Sequence, residues 1–276
     1  MLLNIAGISK QIYYYEIKHF SDKDNKDSFY EKLILEIFHK NYEKYGVPRM
    51  TIAVNQRLKS IGLKSINHKR VERLMIKLGI QARPKQRKYI SYKGNVGKVA
   101  PNVLNRNFVA NLPYQKLGTD VTVFIMPFGK LYLSPIVDFL TREVLAYDLS
   151  QHPDFRQINR MFEMLKNRHG INIQGAILHS DQGWQYQMSK YREKLEELKI
   201  TQSMSRKGNC LDDSPTENFF GRMKEEMFFG KENLYEDMNQ LKKAIHNYIN
   251  YYNNERIVTR LMMSPVQYRI ETFGLI

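Results

Sequence analysis

Three acidic residues stand where a carboxylate could take part in chemistry. Asp120 lies inside an apolar strand-like stretch, Asp181 directly follows another, and Glu217 lies in the first turn of a predicted helix. A carboxylate within an apolar strand is costly to desolvate unless it is paired or binds a metal ion. Three converging carboxylates suit metal-assisted phosphoryl transfer, in which two Mg²⁺ ions about 3.5–4 Å apart stabilise the attacking and leaving oxygens.

Each of these acids also has an ordinary structural explanation. Asp181 could form a turn, because Asp-x-Gly is a common turn sequence. Glu217 could close a capping box, with Ser214 as N-cap and Pro215 at the first helical position. Asp120 could pair with one of the many cations of the chain. These alternatives stay open for each residue alone, and the presence of all three favours a metal site.

The elements that would position the acids follow from the hydrophobic pattern. Residues 117–126, 131–137 and 144–149 are short and rich in β-branched and aromatic residues, which predicts an antiparallel meander. A helix, a strand, a second helix and another strand follow, and helices are predicted over residues 215–228 and 238–252. This order predicts an α/β fold with a mixed sheet flanked by helices.

The first hundred residues have a helical pattern. Helices are predicted near residues 30–42, 50–61 and 67–78, and the last two, joined by a link that contains Gly62, resemble a helix-turn-helix. The third helix carries candidate DNA contacts away from its apolar stripe, namely Lys69, Arg70, Arg73 and Lys77. The alternative is the solvated face of a small helical bundle.

Composition narrows the class of partner. The chain has 276 residues with 43 Lys and Arg against 28 Asp and Glu, so its formal charge of +15 indicates a polyanionic partner, either nucleic acid or an acidic membrane surface. The single cysteine, Cys210, excludes an internal disulfide and a Cys-rich zinc site. No membrane span or secretory signal is recognisable, so we expect a cytoplasmic, nucleoid-associated protein with no membrane partner.

The positive charge is concentrated in one part of the chain. Thirteen Lys and Arg lie between Arg57 and Lys98, against one acid, Glu72. The expected organisation has three parts: a helical, helix-turn-helix-like region over residues 1–81, a basic linker over 82–109, and a catalytic core with a C-terminal helix over 110–276.

The spacing of the acids, with 35 residues between Asp181 and Glu217, resembles the D,D(35)E triad of retroviral integrases and related transposases. Further motifs resemble the second-frame protein of a large group of bacterial insertion sequences: YGVPRM at 45–50, APNVLNRNF at 100–108, KLGTDVT at 116–122, HSDQGWQY at 179–186, PTENFFGRMKEE at 215–226 and YINYYNNER at 248–256. The similarity covers nearly the whole chain, with the motifs in the same order.

The resemblance implies a ribonuclease-H-like core with a mixed five-stranded sheet. It also implies a DDE-type DNA transposase that nicks the ends of an insertion sequence and joins the freed 3′-hydroxyl to DNA. Asp120, Asp181 and Glu217 would be both the catalytic residues and the ligands of Mg²⁺, with Mn²⁺ as a substitute. Lys224, seven residues after Glu217 on the same helical face, would contact a DNA phosphate.

Other cations near the predicted site are weaker candidates. Arg206 and Lys207 precede the catalytic helix and could hold a DNA strand, although a polar loop explains them equally well. Two positions depart from the family pattern. Leu117 stands where a tryptophan is common, which loses an aromatic contact beside the first aspartate, and Asp213 stands where an asparagine is usual.

The resemblance also implies partners. These are the element ends and target DNA, further copies of the chain on that DNA, and the product of an upstream frame, joined by frameshifting as a fusion partner. Two alternative functions remain open: a catalytically inactive or regulatory copy that binds DNA without cutting it, and a ribonuclease-H or resolvase-like nuclease on the same fold.

Overall fold

The structure is a computed structural model that divides the chain into two compact units, residues 1–84 and 85–276. Each unit is considered by itself. The structure describes residue 9 and the ranges 27–82, 98–105, 107–206 and 215–275.

The N-terminal unit contains three described helices. They are α1 over residues 27–40, α2 at Val47–Ser60 and α3 at His68–Lys77. Pro48 lies in the first turn of α2, where its missing N–H is tolerated, so this helix begins before the predicted start at residue 50. The N-cap of α3 is Asn67, whose side chain accepts a hydrogen bond from the backbone N–H of Arg70 at 2.9 Å.

A side chain fixes the turn between α2 and α3. The Asn55 amide oxygen accepts from the backbone N–H of Ile66 at 2.8 Å, and its amide nitrogen donates to the carbonyl of the same residue at 2.9 Å. The three helices share a small apolar core made of Ile34, Phe38, Met50, Val54, Leu58, Val71 and Leu74. The predicted helix-turn-helix-like arrangement is therefore present.

The C-terminal unit is built on one mixed sheet. Its strands are β1 (Lys116–Thr119), β2 (Thr122–Met126), β3 (Gly129–Asp138), β4 (Val144–Ser150), β5 (Ile177–Ser180) and β6 (Thr201–Met204). β3 pairs antiparallel with β1, β2 and β4, whereas β5 pairs parallel with both β1 and β6. The mixed sheet predicted from the sequence is confirmed.

The first two strands follow one continuous register along β3. Thr119 pairs with Ile136, and Thr122 pairs with Leu133, so three steps along one strand match three steps along the other. Ladder pairing is interrupted only at Asp120 and Val121, which lie between these two pairs. β1 and β2 thus form one interrupted strand, and the six segments correspond to the predicted five-stranded sheet.

Five α-helices accompany the sheet in the described part of this unit: α4 (Phe155–His169), α5 (Ser189–Glu197), α6 (Pro215–Met223), α7 (Met238–Asn254) and α8 (Pro265–Phe273). The apolar face of α4 is buried in the main core, through Ile158, Met161, Phe162 and Leu165 as its pattern predicts. Leu117, at the position of the expected aromatic residue, is fully buried in the same core.

The helix that carries Glu217 is shorter than predicted. α6 ends at Met223, and residues Lys224–Phe228 form a single π-helical turn instead of continuing the helix. Within this turn the buried Glu226 accepts hydrogen bonds from Arg256 at 2.8 and 2.5 Å and from the Tyr248 hydroxyl at 2.8 Å. The C-terminal segment therefore anchors the end of α6.

The segment just before the core lies along β6. The backbone N–H groups of Val103 and Leu104 both donate to the Ser203 hydroxyl, at 3.0 and 3.3 Å, and the N–H of Met204 donates to the Pro101 carbonyl at 3.3 Å. This contact lies within the predicted linker over residues 82–109, whose boundaries stay predictions. No helix of the described ranges is both long and apolar enough to cross a membrane.

Candidate active site

The pairing of β1 with β5 brings two of the predicted acids to one end of the sheet. The strands run parallel, and Gly118 pairs with His179. Asp120 and Asp181 each lie two residues beyond this pair, so their side chains leave the same face at the same end of neighbouring strands. Adjacent strands are about 4.8 Å apart, so the two carboxyl groups are neighbours.

The turn that carries Asp181 is held by hydrogen bonds on several sides. The Asp181 carboxylate accepts from the backbone N–H of Gly183 at 2.8 Å, as expected for an Asx turn. Gln182 donates to the Ser205 carbonyl at 2.9 Å, and Gln187 donates to the Gln182 carbonyl at 2.6 Å. The turn explanation offered by the sequence and a role in the site are therefore compatible.

A glycine lets α6 approach the central strand β1. A Cβ atom added to Gly118 would lie 2.5 Å from a ring carbon of Phe139 and 2.7 Å from the hydroxyl oxygen of Thr216. Thr216 is in the first turn of α6, directly before Glu217. The close contact therefore sets the start of this helix against β1, two residues from Asp120.

The charges of Asp181 and Glu217 both act on Asp120. Burial raises the pKa of Asp120 from 3.8 to about 7, and the nearby charges of Asp181 and Glu217 add to this rise, while a backbone hydrogen bond from Val121 and the charge of Lys224 oppose it. Burial likewise raises the pKa of Asp181. Asp181 and Glu217 are thus close enough to Asp120 to change its pKa, and a shared metal site stays a prediction.

Lys224 lies beside the same group. Its ammonium donates to the Val123 carbonyl at 2.9 Å and lies 5.3 Å from the centre of the Phe124 ring. Burial lowers the pKa of Lys224, and the charge of Asp120 opposes this shift. Within the described part of the chain, the half-buried ammonium of Lys224 is thus a positive charge that opposes the effect of Asp181 and Glu217 on Asp120.

The three carboxylates are chemically suited to bind a divalent cation. Their side chains do not converge on a single point in this structure. No group of three His, Cys, Asp or Glu side chains within the described ranges is close enough to hold a metal ion. Asp120 is half-buried and Asp181 is exposed on its turn, and both supply carboxylate oxygens, the ligands that Mg²⁺ prefers. Glu217 is exposed at the start of α6, so a rotation of its side chain could complete the set.

The raised pKa of Asp120 predicts how the stability of the folded protein depends on pH. In the unfolded chain this carboxyl ionises near pH 3.8, whereas the folded protein keeps the proton until about pH 7. Between these values the folded state binds more protons, so stability falls as the pH rises, with a full penalty on the order of 4 kcal/mol above pH 7. With a chelator present, Asp120→Asn is therefore expected to be more stable than the wild type at pH 8, with the gap closing towards pH 4.

Urea denaturation of both proteins across this pH range measures the effect. Equal stability at pH 8, or a gap that widens as the pH falls, would contradict the proposed burial of Asp120 beside other carboxylates. Adding Mg²⁺ at pH 8 is expected to stabilise the wild type more than the variant, because a bound cation relieves the repulsion.

Gly118 provides a second prediction. Gly118→Ala is expected to lower the free energy of unfolding by about 1–3 kcal/mol and to push α6 away from β1. The reason is that the Phe139 ring and the Thr216 hydroxyl are buried and cannot move easily to make room for a methyl group. Gly221→Ala is the matched control: it lies in α6 with no atom within 4 Å of an added Cβ, so alanine there is expected to be neutral or stabilising. Thermal unfolding of the two variants compares them, and equal effects would contradict the close contact at Gly118.

The predicted DNA contacts outside the carboxylate group are spread over the molecule. Arg206 is exposed and donates to the Asn105 side chain at 3.3 Å, whereas Lys207 lies outside the described residues. Lys69 is exposed on α3.

The other three predicted contacts on α3 make ion pairs with α1. Arg70 and Arg73 bind the carboxylate of Asp27 at 2.8 and 2.6 Å, and Lys77 binds Glu31 at 2.9 Å. These cations hold α3 against α1, and whether they also contact DNA stays a prediction.

Two residues of the site were not identified from the sequence. Gly118 has no local signal, because its role depends on Phe139 and Thr216, which are distant in the chain. Tyr186 is fully buried, and burial together with the charges of Asp120 and Asp181 raises its pKa, so its ring lies beneath the site. Its position five residues after Asp181 in the HSDQGWQY motif was the one available signal.

Comparison with known proteins identifies the family. The family described as "Integrase core domain" matches residues 110–210, and a second model of the same description matches residues 217–273. A third, described as "HTH-like domain", matches residues 24–88. Together these matches cover both units.

Two curated relatives span most of the chain. The Escherichia coli K12 protein named as transposase InsK for insertion sequence element IS150 is 42% identical over 273 residues, covering 99% of this chain and 93% of its own. An uncharacterized transposase-like protein of Haemophilus influenzae is 51% identical over 212 residues, covering 76% and 95%.

Among solved structures, the fold is similar to a chain in the cryo-EM structure of the simian T-cell lymphotropic virus intasome in complex with PP2A regulatory subunit B56 gamma. The TM-score is 0.50 at 14% identity, covering 65% of this chain and 59% of that chain, so this likeness concerns the ribonuclease-H-like fold alone. From the two matched core models and the closely similar relatives, we conclude that the chain belongs to the insertion-sequence transposases with an integrase core domain.

Proposed function

We propose that this transposase cuts DNA at the ends of its insertion sequence and joins the freed 3′-hydroxyl to target DNA, using Mg²⁺ or Mn²⁺. The observation that supports the proposal is the environment of Asp120, whose pKa is raised to about 7 by burial and by the charges of Asp181 and Glu217. Such an arrangement costs stability, and a divalent cation would offset that cost.

Each residue of the proposed site would have a separate role. Asp120 and Asp181 would hold the metal from the ends of β1 and β5, and Glu217 would close the site from α6. The bound cations would supply charge stabilisation for the attacking and leaving oxygens of an in-line displacement. Lys224 would hold a phosphate oxygen of the strand next to the carboxylates.

Both chemical steps balance as phosphoryl transfers. In the first, a water oxygen attacks phosphorus and the bond to the 3′ oxygen breaks, which leaves a 3′-hydroxyl and a 5′-phosphate. In the second, that hydroxyl attacks a phosphodiester of target DNA, a new phosphorus–oxygen bond forms, and the target's own 3′ oxygen leaves. The same group of carboxylates can serve both steps, because each needs the same charge stabilisation.

Several cations could hold the polyanionic substrate. We infer that DNA contacts are distributed over α3 and the residues around Arg206 and Lys207, that copies of the chain assemble on DNA, and that the product of an upstream frame joins it as a fusion partner. Binding that depends on such cations weakens steeply with salt, because each neutralised phosphate releases counterions.

The proposal is tested with labelled duplexes that carry the element's own ends, incubated with Mg²⁺, with Mn²⁺ or with a chelator. We expect nicks at the element boundary and joined products with either metal and none with the chelator. Salt-sensitive binding without any nick under all conditions would overturn the proposed chemistry and favour a regulatory, DNA-binding copy. Cleavage of RNA–DNA hybrids in preference to these duplexes would favour a ribonuclease-H-like nuclease.

A further inference from the structure

Two tyrosine hydroxyl groups are enclosed in the core of the C-terminal unit. Tyr186 and Tyr191 are both fully buried, and within the described part of the chain neither hydroxyl makes a hydrogen bond. A buried hydroxyl without a partner costs free energy, so its presence points to a use in another state of the protein. Neither hydroxyl has a role in the chemistry proposed above.

The ring of Tyr191 is fixed by its neighbours. Its centroid lies 5.3 Å from that of the Phe162 ring and 5.3 Å from that of the Tyr186 ring, which it meets edge to face. Tyr186 is held in turn, because its backbone carbonyl accepts a hydrogen bond from the Gln202 side chain at 2.7 Å. In such a closely packed core the Tyr191 hydroxyl keeps its place, and only its O–H bond can rotate freely.

The acid nearest in effect to this hydroxyl is Asp181. Leu178, on the strand that leads to Asp181, belongs to the same core cluster as Tyr191. Burial raises the pKa of Tyr191, and the charge of Asp181 adds to this rise. Burial also raises the pKa of Tyr186, but there the side chain of Gln185 opposes the rise. Tyr186 therefore has a polar side chain nearby, and Tyr191 is the better placed donor for Asp181.

The Asp181 carboxylate can accept a further hydrogen bond. Its Oδ1 atom accepts from the backbone N–H of Gly183 at 2.8 Å, as part of the turn. A carboxylate has about four acceptor positions on its two oxygens, so a hydroxyl donor and a cation can both be accommodated. Carboxylates that bind metal ions are commonly held by hydrogen bonds of this kind, which favour the charged form and fix its orientation.

We propose that Tyr191 is a positioning residue, whose hydroxyl donates a hydrogen bond to the Asp181 carboxylate when that carboxylate binds a divalent cation. The inference rests on the proposed function, because it takes Asp181 as a metal ligand. It adds a residue of the core, outside the three acids, on which the affinity for the metal depends. The hydroxyl without a partner in the metal-free protein thereby gains one in the metal-bound state.

The test measures binding of Mn²⁺ to the full chain without DNA, by electron paramagnetic resonance. The binding that is lost in Asp120→Asn defines the proposed site. Tyr191→Phe removes only the hydroxyl group, and its affinity for Mn²⁺ at this site is expected to be about tenfold to a hundredfold lower than that of the wild type. Nicking of element ends by this variant is expected to approach the wild-type rate as the Mn²⁺ concentration is raised, because the defect lies in metal binding.

Urea denaturation in a chelator separates this role from a structural one. Tyr191→Phe is expected to be at least as stable as the wild type, because it removes a buried hydroxyl that has no partner in the metal-free protein. Tyr248→Phe is the matched control, since Tyr248 is equally buried but its hydroxyl donates to Glu226 at 2.8 Å. That variant is expected to lose stability and to bind Mn²⁺ as the wild type does.

Two results would overturn the inference alone. One is a loss of Mn²⁺ affinity of less than about tenfold in Tyr191→Phe, and the other is a lower stability of this variant in the chelator. A wild type that binds no Mn²⁺ through Asp120 would refute the proposed metal chemistry and this inference with it. A wild type that binds Mn²⁺ there but never nicks DNA would refute the proposed cutting and leave the role of Tyr191 in metal binding intact.

Discussion

Replacing Asp120 with asparagine is expected to lower the rate of nicking at element ends by about a thousandfold or more. The amide keeps the size of the side chain but loses the charge that would bind a divalent cation, and metal-based charge stabilisation is worth several kcal/mol in such reactions. Cleavage of a labelled end duplex in Mg²⁺ measures the rate. The same variant is expected to be the more stable protein at pH 8 without metal, so its loss of activity would not reflect unfolding.

Asp148→Asn is the matched control for this change. Asp148 lies on β4 and binds Arg160 at 2.8 Å, so its replacement removes a carboxylate of the same sheet from outside the predicted site. Activity within about twofold of the wild type is expected, since partly exposed ion pairs contribute about 0–1 kcal/mol. Equal rates for wild type and Asp120→Asn would remove the basis for metal-assisted chemistry at this position.

Loss of the buried ion pair between Arg256 and Glu226, which lies just after α6 in the chain, is expected to have the largest effect on stability. Arg256 is 1% exposed and makes two hydrogen bonds to Glu226, which also accepts from Tyr248. Arg256→Met leaves a buried carboxylate without its cation, so the free energy of unfolding is expected to fall by about 3–5 kcal/mol. Urea denaturation at pH 7 measures this loss.

Two further variants test whether the loss of stability in Arg256→Met comes from the unpaired buried carboxylate. The double variant Glu226→Leu with Arg256→Met is expected to recover much of the stability, because it removes both charges from the interior. Lys166→Met breaks the exposed ion pair with Glu197, 2.8 Å long, and is expected to cost less than about 1 kcal/mol. If Arg256→Met costs no more than Lys166→Met, Arg256 does not anchor the end of α6.

Local patterns were sufficient to predict most of the architecture. The meander follows from short β-branched stretches, and α4 follows from the spacing of Ile158, Met161, Phe162 and Leu165, because burial on one face leaves a periodic signal. α8, at Pro265–Phe273, was interpreted as a turn, since Ser264 and Pro265 fit a turn as well as an N-cap followed by the first helical residue.

The remaining features depend on residues far apart in the sequence. The π-helical turn after α6 accompanies the contact of Glu226 with Arg256, thirty residues away, and no local pattern encodes this contact. The ion pairs of Arg70 and Arg73 with Asp27 likewise join different helices. The sequence could place cations on one helix, but only the tertiary structure shows which of them face α1 and which face outward.

A crystal of the protein soaked in Mn²⁺ tests most directly whether Asp120, Asp181 and Glu217 together bind a divalent cation. We expect an anomalous peak bound to carboxylate oxygens of both Asp120 and Asp181, at distances of roughly 2.0–2.3 Å, with Glu217 turned towards the same site. No such peak in the wild type at pH 8, or a peak that persists unchanged in Asp120→Asn, would refute a metal site formed by these three acids.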